Sequence, residues 1–177
     1  MSYVFLFASG IGHQCVVNFR NKSTKGYSTD YCIIGLVGFS FLLMNQTVGF
    51  LDPVSDAGRV GGWDMTFALS AFTFGLTCFI QTIIYPSDAG NPTIRFAAIT
   101  VFGTFLFASI LEHMFNCPLE NYAFGLSLVR FAAFVPGTCS LIKYYFQIRI
   151  NVIKQSTKGV SKYAYWSDFA GNVCCGT

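Results

Sequence analysis

Long apolar runs that carry almost no charge restrict this chain to a membrane fold. Residues 2–19 are apolar except for His13, Gln14 and Asn18, and residues 31–51 contain no charge. A third run opens at Asp64 and reaches Tyr85. A fourth, Phe96 to Leu111, is bracketed by Arg95 and Glu112. The fifth, 122–148, is interrupted only by Arg130, Pro136 and Lys143, and a sixth starts near Tyr163. A bilayer core needs about 20 apolar residues per helix, whereas a barrel would show short alternating segments. Five full spans and a partial sixth follow, all helical. Composition agrees: of 177 residues only 11% are charged and 20 are Phe, against about 25% charged in soluble domains. These values exclude a soluble globular domain and a disordered tail. A net charge of +3 is too small for a nucleic-acid partner.

Basic residues set the expected orientation. Arg20, Lys22 and Lys25 lie between runs one and two, and Arg149, Lys154, Lys158 and Lys162 between runs five and six. Both loops therefore fall on one side, the cytosolic side by the positive-inside rule, with a lumenal N-terminus. The first run lacks a charged n-region and a small-residue cleavage site, so it reads as a mature span rather than a signal peptide. Asn45-Gln46-Thr47 is a lumenal sequon close to a span end, and Asn21-Lys22-Ser23 is a cytosolic one. The seven Cys form no C-x-x-C pair, so spacing offers neither a zinc site nor a redox motif. In apolar spans Cys acts mainly as a small hydrophobe.

The two basic loops repeat each other. Gln14-x3-Asn18-x4-Ser23-Thr24-Lys25-Gly26-x-Ser28 recurs as Gln147-x3-Asn151-x4-Ser156-Thr157-Lys158-Gly159-x-Ser161, and Gly38 and Gly171 continue the register. Both copies leave a span on the same side, so the repeats are parallel, and three helices, one linker and three helices is the natural plan. The expected units are 1–85, a linker helix in 86–120, and 121–177. Gln and Asn at i and i+4 share a helix face and must bond across helices or line a wet cavity. In the loop, Gly permits positive φ and the hydroxyls cap helix ends.

This paired motif resembles the PQ-loop family, most closely its lysosomal cystine-exporting branch. Lys143-Tyr144-Tyr145-Phe146-Gln147 is similar to the family's Lys-Tyr-Phe-Pro-Gln, and Asp168-Phe169-Ala170-Gly171 to its Asp-Phe-Thr-Gly. Trp63-Asp64-Met65-Thr66-Phe67-Ala68-Leu69 resembles the start of its third helix, and residues 19–31 its first cytosolic loop. The resemblance implies proton-coupled export of cystine or a related amino acid from the lysosome lumen by alternating access. Protons would be the coupling ion, with no other cofactor. There are departures. His13 and Phe146 replace the two prolines that precede Gln, and Ala164 replaces an amide. By this comparison the chain starts within the family's first helix and stops within the sixth, so that a seventh helix is expected elsewhere.

A charge at membrane depth is a functional hypothesis by default. Asp64 and Asp168 are the candidate proton-coupling residues, and for Asp64 a helix N-cap after Gly61-Gly62 is the competing role. Lys143 is placed to meet a substrate carboxylate, with Gln14, Asn18, Gln147 and Asn151 as further substrate contacts or as helix-packing glue. Gly26, Pro136 and Gly159 are the hinge and loop candidates. Arg130 fits a snorkelling position near the lumenal end. His13 is a further titratable group, and Glu112-His113 is expected to meet solvent. These groups should line one cavity between bundles. The competing class is a non-transporting membrane protein: a partner of a full-length homologue or regulatory complex, or a cargo receptor of the same superfamily. An enzyme lacks support, since no G-x-S-x-G, H-E-x-x-H or nucleotide-binding glycine pattern is present.

Overall fold

The computed structural model describes residues 2–51, 60–88, 90, 94–95, 97–101, 103 and 128–175, and among these the side chains from Phe5 to Ala170 except at 128–132. Among these the regular structure is helical, without strands. The long helices are α1 (Ser2–Asn21), α2 (Thr29–Leu51), α3 (Gly62–Ile84), α4 (Leu128–Lys154) and α5 (Lys162–Cys175). Residues 94–95, just before the fourth apolar run, and 97–101 and 103 within it are also helical. The rest of that run, the loop 52–59, Glu112-His113 and Cys117, and the side chains of Arg130, Cys174 and Cys175, lie outside what is described.

By length and composition, α2 and α3 are suited to cross a membrane. The surface is that of a protein in lipid. Leu141 is 81% exposed and Ile83 69%, while Asn18 and Thr24 are fully buried. Water would drive the reverse distribution; in lipid, polar side chains are the groups that gain from meeting inside.

Both expected basic loops are present, and each is entered by the same helix ending. Lys22 and Gln155 adopt φ +47° at equivalent positions. Ser23 N–H then reaches back to the Asn18 carbonyl and Lys22 N–H to Phe19, as Ser156 and Gln155 reach Asn151 and Val152. This paired bonding satisfies carbonyls that a helix C-terminus leaves open. The ending lies further along than the apolar pattern suggested. Arg149 and Lys154, read as loop residues, belong to α4, because the turn at Gln155 rather than loss of hydropathy stops the helix. Lys154 in the last turn suits the negative end of the helix dipole. Ser28 Oγ accepts Tyr31 N–H and Ser161 Oγ accepts Ala164 N–H, which caps α2 and α5 alike.

The packing follows the repeat. α1 packs on α3 and α5, and α2 packs on α3 and α4. An offset of one repeat converts the α1–α5 contact into the α4–α2 contact. α2 and α4 meet closely where Gly38 faces Cys139 and Pro136. Pro136, eleven residues before Gln147, lies inside α4. Asn45 also lies inside a helix, α2, with its side-chain oxygen buried.

Candidate functional site

The repeated loops meet face to face, and each is completed by the other half of the chain. Gln14 Oε1 accepts the Ser161 N–H at 2.7 Å, and Gln14 Nε2 donates to the Gly159 carbonyl at 3.0 Å. Gln147 does the same in reverse, accepting Ser28 N–H and donating to the Gly26 carbonyl, both at 2.8 Å. The second amide hydrogen of each Gln goes to the Asn one turn on, Asn18 at 2.8 Å and Asn151 at 3.0 Å. Gly26 and Gly159 sit at φ +92° and +95°. A Cβ on either would come within 1.9 Å or 2.0 Å of the carbonyl oxygen of Lys158 or Lys25. The motif residues thus form a two-fold clasp. The amides considered as substrate contacts are taken up by the protein itself, although Gln14 also borders the cavity described next.

His13, at the first position where the family has proline, is hydrogen-bonded to Ser161 Oγ at 2.7 Å and packs on the Tyr163 ring. A residue of the opposite loop therefore holds the position that would otherwise carry a helix break. Asn18 Nδ2 continues outward to Gln81 Oε1 at 3.0 Å, and Gln81 Nε2 returns to the Cys15 carbonyl.

Beside the clasp lies a cavity of about 40 Å³ bordered by Gln14, Tyr31, Gly75, Lys143, Tyr165 and Asp168. A second, of about 240 Å³, adjoins it through Lys143 and Asp168 and extends to Pro136 and Phe67. Lys143 is 7% exposed. Its ammonium lies 3.9 Å from Asp168 Oδ2 and within 4.9–5.5 Å of the ring centres of Tyr144, Tyr31 and Phe39. Tyr144 donates its hydroxyl hydrogen to the same Asp168 oxygen. Burying an ammonium is costly without compensation, and here a carboxylate and three aromatic faces share that task. Lys143 reaches the site because it stands one helical turn before Gln147, on the same face of α4. Asp168 reaches it from α5, whose start is fixed by the second loop.

Asp64 is placed differently. It lies in the first turn of α3, where its carboxylate accepts the Gly61 N–H at 3.3 Å. It borders neither cavity. Gly75, which does, is eleven residues further along, or about 16 Å of helix. The structure thus brings together Lys143, Asp168 and Gln14 and leaves Asp64 at the far end of α3 in the capping position.

Sequence patterning did not reveal the aromatic enclosure. Tyr31 and Phe39 are spaced within an apolar run that gives no sign of facing a charge. It also missed a strap between α3 and the clasp. The Pro86 carbonyl accepts Thr24 N–H, and Asp88 accepts Gly26 N–H at 2.7 Å while forming an ion pair with Lys154. Asp88 stands next to Pro86-Ser87, a run that reads as an ordinary turn. Among the described residues no group of His, Cys, Asp and Glu is arranged to hold a metal ion.

No family model matches the chain. Curated proteins do. A cystinosin homolog of Dictyostelium discoideum is 26% identical over 90% of this chain, covering 58% of its own length. A Caenorhabditis elegans cystinosin homolog is 26% identical over 96% of the chain and 44% of its own length. Bos taurus cystinosin is 24% identical over 89% of the chain and 45% of its own length. The chain spans about half the length of these relatives, and in sequence it is a cystinosin-like protein, partial relative to them.

Proposed function

We propose that this polypeptide forms the substrate path of a proton-coupled carrier that moves cystine, or a related amino acid, from the lysosome lumen to the cytosol. The observation that carries this reading is the buried Lys143–Asp168–Tyr144 group at the junction of the two repeats. An ionised Asp168 holds the Lys143 ammonium and accepts the Tyr144 hydroxyl. Protonation from an acidic lumen neutralises that carboxylate and releases its hold on Lys143. The ammonium is then available to a substrate carboxylate, while the aromatic walls exclude water and hold the rest of the molecule. Release of the proton to a neutral cytosol restores the Lys143–Asp168 pair and displaces the substrate. Access alternates by rocking of the two repeats against each other, which parts them at the clasp, with the basic loops on the cytosolic side and the N-terminus lumenal. Pro136 in α4 supplies the bend and Gly26 and Gly159 the loop contact. Asp64 is assigned to capping α3 rather than to proton transfer.

The test is uptake of radiolabelled cystine by cells displaying the chain at their surface, in acidic and in neutral medium. Uptake should rise in acid and vanish in Asp168→Asn. Absence of uptake in both media, with membrane insertion verified, would instead favour a non-transporting partner or cargo receptor.

A further inference from the structure

At the α1–α3 contact, Cys15, Tyr27, Cys32 and Cys78 form one buried cluster. Within it the Cys15 and Cys78 sulfurs stand 3.1 Å apart, and Cys15 Sγ donates to the Phe74 carbonyl at 3.4 Å. The two backbones are tied together at this level, since Gln81, one turn beyond Cys78, bonds the Cys15 carbonyl at 3.0 Å. A disulfide requires sulfurs about 2.05 Å apart, so the pair needs only a side-chain adjustment of about 1 Å. No sequence motif announces it, because the partners are 63 residues apart.

We propose that Cys15 and Cys78 are a redox-sensitive pair that hydrogen peroxide converts into a disulfide, stapling α1 to α3. Of the two sulfurs, that of Cys15 is the more open. Cys15 is 8% exposed and Cys78 1%, so Cys15 meets the oxidant first. Its sulfur attacks one peroxide oxygen, giving the sulfenic acid and one water. The Cys78 sulfur then attacks the sulfenic sulfur, forming the S–S bond and expelling a second water. Two thiols are oxidised by two electrons in all, and one peroxide is reduced to two waters. A thiol reductant reverses the step by exchange. The staple fixes the turn of α1 that carries Gln14 and Asn18, and so stiffens one half of the clasp. It stands independently of the transport reading.

The experiment treats the purified full chain in detergent with hydrogen peroxide, blocks remaining thiols with N-ethylmaleimide, and maps unreduced peptides by mass spectrometry. The expected product is a Cys15–Cys78 cross-linked pair, lighter by two hydrogens and lost on adding dithiothreitol. Cys32→Ser should leave it intact. Cys78→Ser should abolish it and leave Cys15 trapped by dimedone as a sulfenic acid. Recovery of both thiols as maleimide adducts after oxidation, or pairing of Cys15 with Cys32, would overturn the proposal.

Discussion

Gln14 and Gln147 each occupy a position where every amide atom has an assigned partner in the opposite loop or on the same helix face. Truncating either one strands a buried N–H and a buried carbonyl, each costing about 1–3 kcal/mol. Gln14→Ala and Gln147→Ala should therefore each lower stability by about 3 kcal/mol, and by similar amounts, as read by thermal unfolding in detergent. A loss confined to one variant would show that the two-fold bonding does not carry equal weight in its halves. Lys143 differs in kind, since its partners are a carboxylate and ring faces. If it receives the substrate carboxylate, Lys143→Met should raise the KM for cystine roughly tenfold or more, with a smaller change in maximal uptake. These residues were legible in the sequence to unequal degrees. Repetition exposed the Gln and Asn positions because one geometry is used twice. It did not say whether the amides face a cavity or a neighbouring backbone, because a helix face has the same spacing in both cases. Lys143 and Asp168 stood out as charges in apolar runs, whereas their aromatic neighbours share the composition of any membrane span.

At the scale of the element, the loops depend on left-handed glycines pressed against the carbonyls of the opposite loop. Gly26→Ala and Gly159→Ala each add positive-φ strain and a clash, together on the order of 3 kcal/mol. The expected outcome is a lowered unfolding temperature for both, with substituted loops that no longer close on one another. The strap at Asp88 adds a pH dependence. Burial works to raise the Asp88 pKa, but the Lys154 ammonium and the Gly26 N–H outweigh it and hold the carboxyl below its ordinary value. A folded value below the unfolded one means that the strap stabilises the fold above the unfolded carboxyl pKa of about 3.9. That contribution is lost as pH falls through the folded value. Stability of the wild type over Asp88→Asn should thus be greatest at neutral pH and vanish in strong acid, measured by thermal unfolding across pH. Helix existence was readable from the apolar runs, but the end of α4 was not. Its stop is set by backbone conformation at Gln155, a residue with no sequence signature for positive φ.

For the whole molecule, the parallel repeat predicted from fifteen aligned positions has a structural counterpart in the equivalent turns, caps and crossed hydrogen bonds of the two loops. The clasp then marks where the halves must separate if they rock. In a Cys15→Ser background, Lys25→Cys with Lys158→Cys places thiols on the facing loops. Cross-linking them should stop cystine uptake, and reductant should restore it; undiminished uptake in fully cross-linked protein would rule out separation at this seam. The crossed bonding has a consequence for how the chain is made. Gln14 must wait for a carbonyl 145 residues further along. At about 5–20 residues per second, that delay is on the order of ten seconds. Throughout it, the first loop is threaded and in place with its glutamine and its Ser28 N–H still unmatched by the second half. Biogenesis therefore includes an interval in which an early helix holds polar groups open at the membrane boundary, and what shelters them then is as much a requirement of this fold as any contact in its finished form.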